Sequence, residues 1–241
     1  MEPEHAGRWL LARFLPCSLF SLKLSFATSS VGKTSLIPTP YAIKMALVDA
    51  AFRLGDSEAE ANELMHRLRE IEVRISPPKR SVVTNTFIKV RQEPKGPTAE
   101  EPYISGIAYR EFAWHAGVWT WAFHIRREGD DCVQQLERLL PHISYIGKRG
   151  SLIQFVGLEH TPALDDSFSQ PLKQDQSWTL AGNAQLLMLD DFGPEADLEV
   201  LNSFSRGKQV RRERHRRFVE TIVPLEVVSS GPGFAEYRLT E

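Results

Sequence analysis

LFSLKLSFATSSVGKTSLIPTPYAIKMALVDAAFRLG (residues 19–55) contains three successive local patterns. Residues 19–27 have β-strand composition and alternate mostly apolar and polar side chains. After a polar loop, apolar residues recur at helical spacing, with Thr39 available to cap the helix, Pro40 at its first position and Gly55 at its end. The stretch therefore predicts a strand, a loop and a helix, and these begin the order of elements on which the fold prediction rests.

The loop in this stretch looks like the phosphate-binding loop of an ATPase, with Ala27 in place of its first glycine and Gly-Lys-Thr at its end. The apolar run at 186–189 is followed by Asp190 and Asp191, and either of these would then supply a magnesium ligand. A working phosphate-binding loop needs a helix that begins at the Gly-Lys-Thr, because the free N–H groups of that helix hold the phosphates. Pro38 and Pro40 oppose a helix that begins there. The ATPase interpretation is therefore the weaker alternative.

The same loop has a second interpretation, as a contact for nucleic acid. A small, polar and cationic segment between a strand and a helix can place backbone N–H groups, Lys33 and Thr34 against a phosphate without hydrolysing a nucleotide. An ordinary solvated turn explains the local sequence equally well. The choice between these two interpretations depends on the rest of the chain.

Strand and helix patterns alternate over the rest of the first 158 residues. β-Branched residues with alternating polarity predict strands, and apolar stripes at helical spacing predict helices. The order strand, helix, strand, strand, helix, strand predicts an α+β fold of the ferredoxin-like βαββαβ type, which also hosts the RNA-recognition sheet. The elements after residue 55 are a helix at 56–74, strands at 81–92, 103–112 and 117–127, a helix at 130–140, and a strand, turn and strand at 142–158.

Three regions follow from these elements. Residues 1–18 are predicted to be a loosely ordered extension before the first strand. Residues 19–158 form the predicted ferredoxin-like domain. Residues 159–241 contain connecting chain, a strand ending in LLMLDDF and further strands, which predicts a smaller β-rich part that carries a basic segment at 206–217.

Composition limits the class of protein. The chain has 241 residues and a formal net charge of −2, so no global positive field indicates nucleic acid. Cys17 and Cys132 lie outside any CxxC pattern, which predicts a reducing, cytoplasmic compartment. No apolar run reaches the length of a membrane span. The seven histidines show no metal-ligand spacing, so neither a metal nor a cofactor is expected.

The strongest local charge lies in RGKQVRRERHRRF, which holds seven Lys or Arg within residues 206–217 against one Glu. Like charges at this spacing repel one another unless an anion relieves them. We interpret the segment as a track for phosphates, and a solvated helix face is the alternative. The candidate contacts here are Arg211, Arg212, Arg214, Arg216 and Arg217.

Other cations extend this charge over the predicted sheet. Lys89 and Arg91 lie on one face of the 81–92 strand, and Lys148 and Arg149 lie in a tight turn between two strands. Phosphate contacts of this kind give affinity and salt dependence rather than sequence specificity. The full set of predicted RNA contacts in this part of the chain is Lys33, Thr34, Asn85, Lys89, Arg91, Arg110, Lys148 and Arg149.

The segment WHAGVWTWAFH (114–124) holds three tryptophans. Aromatic side chains on a sheet can stack on bases. Burial statistics favour the simpler interpretation, in which Trp119 and Trp121, on one strand face, pack in the core.

Several of these segments together resemble one family. They are SSVGKTSLIPTPYAIKMALVDAAF, VVTNTFIKVRQ, GIAYREFAW and ISYIGKRGSLIQF, and they cover about residues 19–158. Their order and composition are similar to those of the CRISPR-associated proteins of Cas family five, in the RAMP superfamily. The resemblance implies a ferredoxin-like domain with a thumb hairpin, here at about 92–118. It also implies a subunit of a type I Cascade complex that caps the 5′ handle of CRISPR RNA (crRNA).

The resemblance further implies partners and leaves one activity open. The implied partners are crRNA, the backbone and large subunits of Cascade, and target DNA. Most members are not enzymes, but one subtype cleaves precursor crRNA with Tyr, Lys and His side chains. Tyr41, Lys148 and His142 keep that alternative open. Our leading hypothesis is a non-catalytic RNA-binding subunit, with a metal-independent endoribonuclease and an ATPase that uses Lys33 and Asp190 as alternatives.

Overall fold

A computed structural model describes residues 8–24, 32–92, 94, 103–125, 131–172, 183–202 and 209–240. The fold is mixed α/β, and its strands form antiparallel sheets. The elements are β1 (Arg8–Pro16), α1 (Pro40–Arg53), α2 (Glu58–Glu70), β2 (Val73–Ser76), β3 (Arg80–Gln92), β4 (Ile104–Ala116), β5 (Trp119–Ile125), α3 (Asp131–Leu139), β6 (Ile153–Thr161), β7 (Gln170–Pro171), β8 (Gln185–Phe192), α4 (Leu198–Leu201), β9 (Arg216–Val223), β10 (Leu225–Gly231) and β11 (Phe234–Leu239).

The central sheet has the strand order β2-β5-β1-β6, and each neighbouring pair is antiparallel. Its inner strand β1 lies in the region predicted to be a loosely ordered extension, so that prediction is wrong for residues 8–16. Leu10, Ala12 and Phe14 alternate along β1 and are fully buried. The intervening Arg13 pairs with Glu159 on β6, so it lies on the outer face and does not interrupt the strand.

The strand predicted at 19–27 is also wrong over the part that the structure describes. Residues 19–24 make only isolated bridges, from Phe20 to Ala113 and from Lys23 to Thr34. Phe20 is buried and packs edge-on against Trp119, with ring centroids 5.1 Å apart. This segment therefore lies along the outer edge of β4 rather than in the central sheet, and residues 25–27 fall outside the described residues.

The second sheet has the strand order β10-β11-β3-β4. The predicted strands at 81–92 and 103–112 are confirmed as β3 and β4, but they pair here and not in the central sheet. Strand β11 pairs with β3 only as far as Thr84, whereas the β3–β4 pairing continues to Gln92 and Ile104. Beyond Thr84 the two strands therefore form a two-stranded ribbon.

The helices begin at or within two residues of their predicted starts, but α2 ends at Glu70 and not at 74, because residues 73–76 form β2. Thr39 caps α1 by accepting a hydrogen bond from the Ala42 N–H at 3.2 Å, and Pro40 is its first residue. Ser57 and Glu60 form a reciprocal capping box at the start of α2. A single apolar cluster joins these helices, α3 and the central sheet, and it contains Trp119 and Trp121. The prediction that these two tryptophans pack in the core is confirmed.

The third sheet has the strand order β7-β9-β8. The strand predicted to end in LLMLDDF is confirmed as β8, which lies against α1. Residues 209–212 of the basic segment have no helix, residues 213–215 form a turn, and residues 216–217 begin β9, so a helix face does not describe this part of the segment. None of the helices in the described ranges is long and apolar enough to cross a membrane. The division of the chain near residue 158 stays a prediction.

Candidate nucleic-acid interface

The ATPase alternative is wrong because the helix begins too late. Helix α1 starts at Pro40, six residues after Thr34, so its N-terminal N–H groups do not surround Lys33. The proposed magnesium ligand Asp190 is buried and accepts a hydrogen bond from the Arg216 Nε at 2.6 Å. Among the described residues, neither Lys33 nor Asp190 therefore has the surroundings that a nucleotide site needs.

The described end of the loop, residues 32–34, is held on β4 instead. The Gly32 N–H points to the Tyr109 carbonyl at 3.4 Å, and the Glu111 N–H donates to the Gly32 carbonyl at 3.0 Å. The Thr34 N–H donates to the Glu111 Oε2 at 2.9 Å. Two of the backbone N–H groups that were expected to face a phosphate are thus used inside the protein.

Thr34 makes its hydrogen bonds inside the protein, and its role as an RNA contact stays a prediction. It is only 6% exposed. Its hydroxyl accepts a hydrogen bond from the Leu22 N–H at 3.0 Å and donates to the Ser35 carbonyl at 3.3 Å. Because every one of these bonds lies within the protein, Thr34 joins the two chain segments that flank the loop and does not face solvent.

Arg110 and Lys148 lie beside this loop end, which carries Lys33, and we call these three residues the cationic cluster. Lys33 is exposed. A Cβ atom on the neighbouring Gly32 would lie 2.8 Å from Arg110 Nη1 and 3.0 Å from its Cδ, so the Arg110 side chain lies directly over this glycine. Burial lowers the pKa of Lys148, and the nearby positive charge of Arg110 lowers it further. Arg149, the next residue in the turn, is exposed.

The position of Lys148 is fixed by hydrogen bonds around the turn. Its Nζ lies 3.5 Å from the Ser21 Oγ, and the Ser21 N–H donates to the Ser151 Oγ at 3.1 Å. The Ser18 hydroxyl donates to the Gly150 carbonyl at 2.7 Å. The segment at 18–24 therefore connects the 148–151 turn to β4. Sequence reasoning missed Ser21, Ser151 and Glu111, whose partners lie 77 to 130 residues away along the chain.

The ribbon carries the next candidates. Lys89 and Arg91 are exposed on one ribbon face, as the sequence predicts. Phe87 lies on the same face, is 73% exposed, and its ring centroid is 5.1 Å from that of Tyr109 on the opposite strand. Asn85 lies at the base of this face, opposite Glu111. Two cations thus follow a pair of aromatic rings along one ribbon face, whereas Arg110 lies on the other face.

The basic segment is largely neutralised by acids of the same chain. Arg216 pairs with the buried Asp190 and its guanidinium lies 4.2 Å from the ring centroid of Tyr41. Three further pairs are Arg217 with Asp191 at 3.0 Å, Arg214 with Glu195 at 2.8 Å, and Arg212 with Glu213 at 3.4 Å. The expected track of charge for a phosphate backbone is therefore reduced, because intramolecular carboxylates relieve the repulsion. Arg211 is exposed, and residues 206–208 lie outside the described part of the chain.

Two residues of the nuclease alternative, Tyr41 and His142, lie at opposite ends of α1. Tyr41 lies at the start of α1, where its ring packs against Phe192 with centroids 5.5 Å apart. The His142 carbonyl accepts a hydrogen bond from Arg53 at the end of α1. Tyr41 and Arg53 are separated by about 18 Å along the helix axis at 1.5 Å per residue. The geometry offers no shared acid–base site for these residues.

A search for metal ligands among the described residues finds no group of three or more His, Cys, Asp or Glu that could hold an ion. Cys17 is exposed and Cys132 is buried.

Comparison with solved structures shows which known proteins share the fold of this chain. No protein-family profile matches the chain. A crystal structure of a CRISPR protein from Archaeoglobus fulgidus shares the fold, with a TM-score of 0.54 and 13% identity over 97% of this chain and 92% of that one. A chain of a CRISPR RNA-guided surveillance complex aligns with a TM-score of 0.44 and 16% identity over 89% of this chain and 90% of that one.

The sequence match is more specific. The CRISPR-associated protein Cas5 of Archaeoglobus fulgidus is 30% identical over 95 residues, which are 39% of this chain and 42% of that protein. Over this stretch the chain is a homologue of Cas5, which confirms the predicted resemblance to Cas family five. The match spans less than half of the length of that relative.

Proposed function

We propose that this chain is a non-catalytic RNA-binding subunit of a type I Cascade surveillance complex that caps the 5′ handle of crRNA. The single observation that carries the proposal is the placement of Arg110 and Lys148 beside a loop end that carries Lys33 and is hydrogen-bonded to β4. Clustered cations with a fixed spacing are suited to the phosphates of a bound strand. The homology to Cas5 over 95 residues supports the assignment to a CRISPR complex.

A ferredoxin-like RAMP domain is part of this proposal. Strands β1, β2, β5 and β6 and the helices between them follow the order strand, helices, strand, strand, helix, strand, with β3 and β4 inserted. The sheet order β2-β5-β1-β6, with every neighbour antiparallel, supports that assignment. The inserted β3–β4 ribbon would be the thumb.

The ribbon offers a second contact for the same RNA. Phe87 and Tyr109 present aromatic rings, and Lys89 and Arg91 present cations on the same face. Bases stack on exposed aromatic rings while nearby cations attract the backbone. We assign the cationic cluster and Arg149 to the phosphates of the handle, and the ribbon face to its bases.

The remaining partners follow from this role. The backbone and large subunits of the complex would bind the protein surfaces away from the handle, and target DNA would lie close to the assembled RNA. Arg211 is the residue of the basic segment that we keep as a candidate for such a contact, since it is exposed. Arg212, Arg214, Arg216 and Arg217 are better explained by their carboxylate partners.

A salt titration tests the proposal. Binding of a labelled CRISPR repeat RNA should weaken linearly as the logarithm of salt concentration rises, because counterions are released at each phosphate contact. Lys33→Ala and Lys148→Ala should each reduce the slope by about 0.7, the value for one contact on a single strand. Lys79→Ala removes an exposed lysine at the base of β3 and serves as the matched control, with an unchanged slope.

The products of the same titration separate the alternatives. RNA that stays intact on a denaturing gel, with and without magnesium, supports a non-catalytic role. A discrete cleaved product would instead indicate the endoribonuclease. Equal slopes for the wild type and the two lysine variants would refute the assignment of the cationic cluster.

A further inference from the structure

We infer that Glu111 is a positioning residue that holds the end of the loop on β4 and so places Lys33 beside Arg110 and Lys148. The inference deepens the proposed function and rests on it for the RNA measurement. Its structural part is independent of RNA, because it concerns one hydrogen bond inside the protein.

Glu111 is bonded to both chain segments that flank the loop. Its Oε2 accepts the Thr34 N–H at 2.9 Å, and its own N–H donates to the Gly32 carbonyl at 3.0 Å. Its carbonyl accepts the Ser21 hydroxyl at 3.2 Å. One residue of β4 therefore fixes residues 32–34 and, through Ser21, the support on which Lys148 rests.

The Glu111 carboxylate acts mainly as a hydrogen-bond acceptor, and the length of the side chain lets it reach the Thr34 N–H. Glu111 lies opposite Asn85 on the face of the sheet that also carries the buried Val83 and Ala113. Its neighbour Arg110 lies on the opposite face, since successive residues of a strand alternate. The negative charge is thus on the protein side of the sheet, where it also contributes, after burial, to raising the pKa of Tyr237.

Removal of the acceptor should release the loop end. Thr34 is buried, so its N–H would lose its partner without gaining full access to water. The segment would then shift to restore a hydrogen bond, and Lys33, one residue away, would lose its fixed place. RNA binding would then weaken because Lys33 loses its orientation, and not because a contact between Glu111 and RNA is lost.

Two substitutions at Glu111 distinguish the effect of side-chain length from the effect of charge. Glu111→Gln keeps the length and an acceptor oxygen but removes the charge, whereas Glu111→Asp keeps the charge and shortens the side chain by one methylene. Hydrogen exchange of the Thr34 amide, followed by NMR, reports the bond without RNA. We expect Gln to keep both Thr34 protection and RNA affinity within about threefold, and Asp to lower each by about tenfold, as for the loss of one buried hydrogen bond.

The outcomes are distinct. Thr34 protection that is kept in Glu111→Asp would overturn the inference, and so would a loss in Glu111→Gln as large as in Glu111→Asp. Reduced Thr34 protection with unchanged RNA affinity would also overturn it, because the position of Lys33 would then not matter for binding. If the wild type itself does not bind RNA, the proposed function fails, while Thr34 exchange still decides whether Glu111 holds the loop end.

Discussion

Lys44 of α1 and Asp191 of β8 form a buried ion pair, with 2.7 Å between Nζ and Oδ1. The Lys44 side chain is fully buried, and burial lowers its pKa while Asp191 opposes the shift. The Asp191 Oδ2 accepts a second bond, from Arg217 at 3.0 Å. This carboxylate therefore links the first helix to two strands of the third sheet.

The first prediction is that loss of Asp191 lowers the free energy of unfolding more than loss of Lys44 does. Asp191→Ala leaves Lys44 buried without its anion and should lower the free energy of unfolding by about 3–5 kcal/mol. Lys44→Met leaves Asp191 with Arg217 and should cost less. Urea unfolding monitored by circular dichroism measures both, with Lys79→Met as the exposed control. Equal costs for the two variants would contradict the shared role of Asp191.

The second prediction concerns acid stability. His115 is buried, its Nδ1 lies 2.8 Å from the Ser81 Oγ, and burial lowers its pKa to about 3 from an ordinary value of 6.5. Between these two values the unfolded chain binds more protons than the folded one, so stability falls as the pH falls. At pH 5 this group should cost about 2 kcal/mol relative to pH 7 or above.

Urea unfolding at pH 7 and pH 5 measures that loss. His115→Gln keeps a polar side chain beside Ser81 without a titrating ring, and it should remove most of the pH dependence in this range. The exposed His142→Gln is the control and should keep it. A wild-type protein with equal stability at both values would show that His115 is not held neutral.

The start of the first helix could be predicted from the sequence, but the choice of strands in the central sheet could not. Capping and spacing located α1 correctly at Pro40 because those signals are local. Strand β1 carries Leu10, Ala12 and Phe14 at a period of two, but its place inside the central sheet depends on pairing with β5 and β6, more than 100 residues away along the chain. The pairing of β3 with β4 and β11, rather than with the central sheet, depends on contacts far apart along the chain.

The candidate site shows the same limit. The sequence identified Lys33, Arg110 and Lys148 by charge, and the structure places Arg110 and Lys148 beside the loop end that carries Lys33. The sequence also predicted that the arginines at 211–217 face a phosphate backbone. Their acidic partners Asp190, Asp191 and Glu195 lie too far away along the chain for a sequence pattern to reveal the ion pairs. Charge density alone does not separate a ligand site from an intramolecular ion-pair network.

The third prediction separates these two roles within the basic segment. Arg216→Ala leaves the buried Asp190 without this partner and should lower the free energy of unfolding by about 2–4 kcal/mol, with little change in the salt slope of RNA binding. Arg211→Ala should leave stability within about 0.5 kcal/mol, as for an exposed side chain. Urea unfolding and the RNA titration measure both variants. A reduced salt slope for Arg216→Ala without a loss of stability would restore the phosphate-track interpretation.

The fourth prediction tests the ribbon face. Phe87 is 73% exposed, so Phe87→Ala removes little buried surface and should leave the unfolding free energy within about 0.5 kcal/mol. If a base stacks on this ring, the same variant should weaken RNA binding by about 1–3 kcal/mol, or roughly 5- to 150-fold, at constant salt slope. Leu186→Ala, on β8 and 62% exposed, is the matched apolar control and should not change affinity.

The salt dependence of RNA binding distinguishes a lost stacking contact from a lost phosphate contact. Loss of a stacking contact changes affinity at every salt concentration by the same factor, whereas loss of a phosphate contact changes the slope. Lys89→Ala, two residues from Phe87 on the same face, should therefore lower the slope by about 0.7 while Phe87→Ala leaves it constant. Unchanged affinity for both variants would remove the ribbon from the RNA site and leave the cationic cluster as the site of contact.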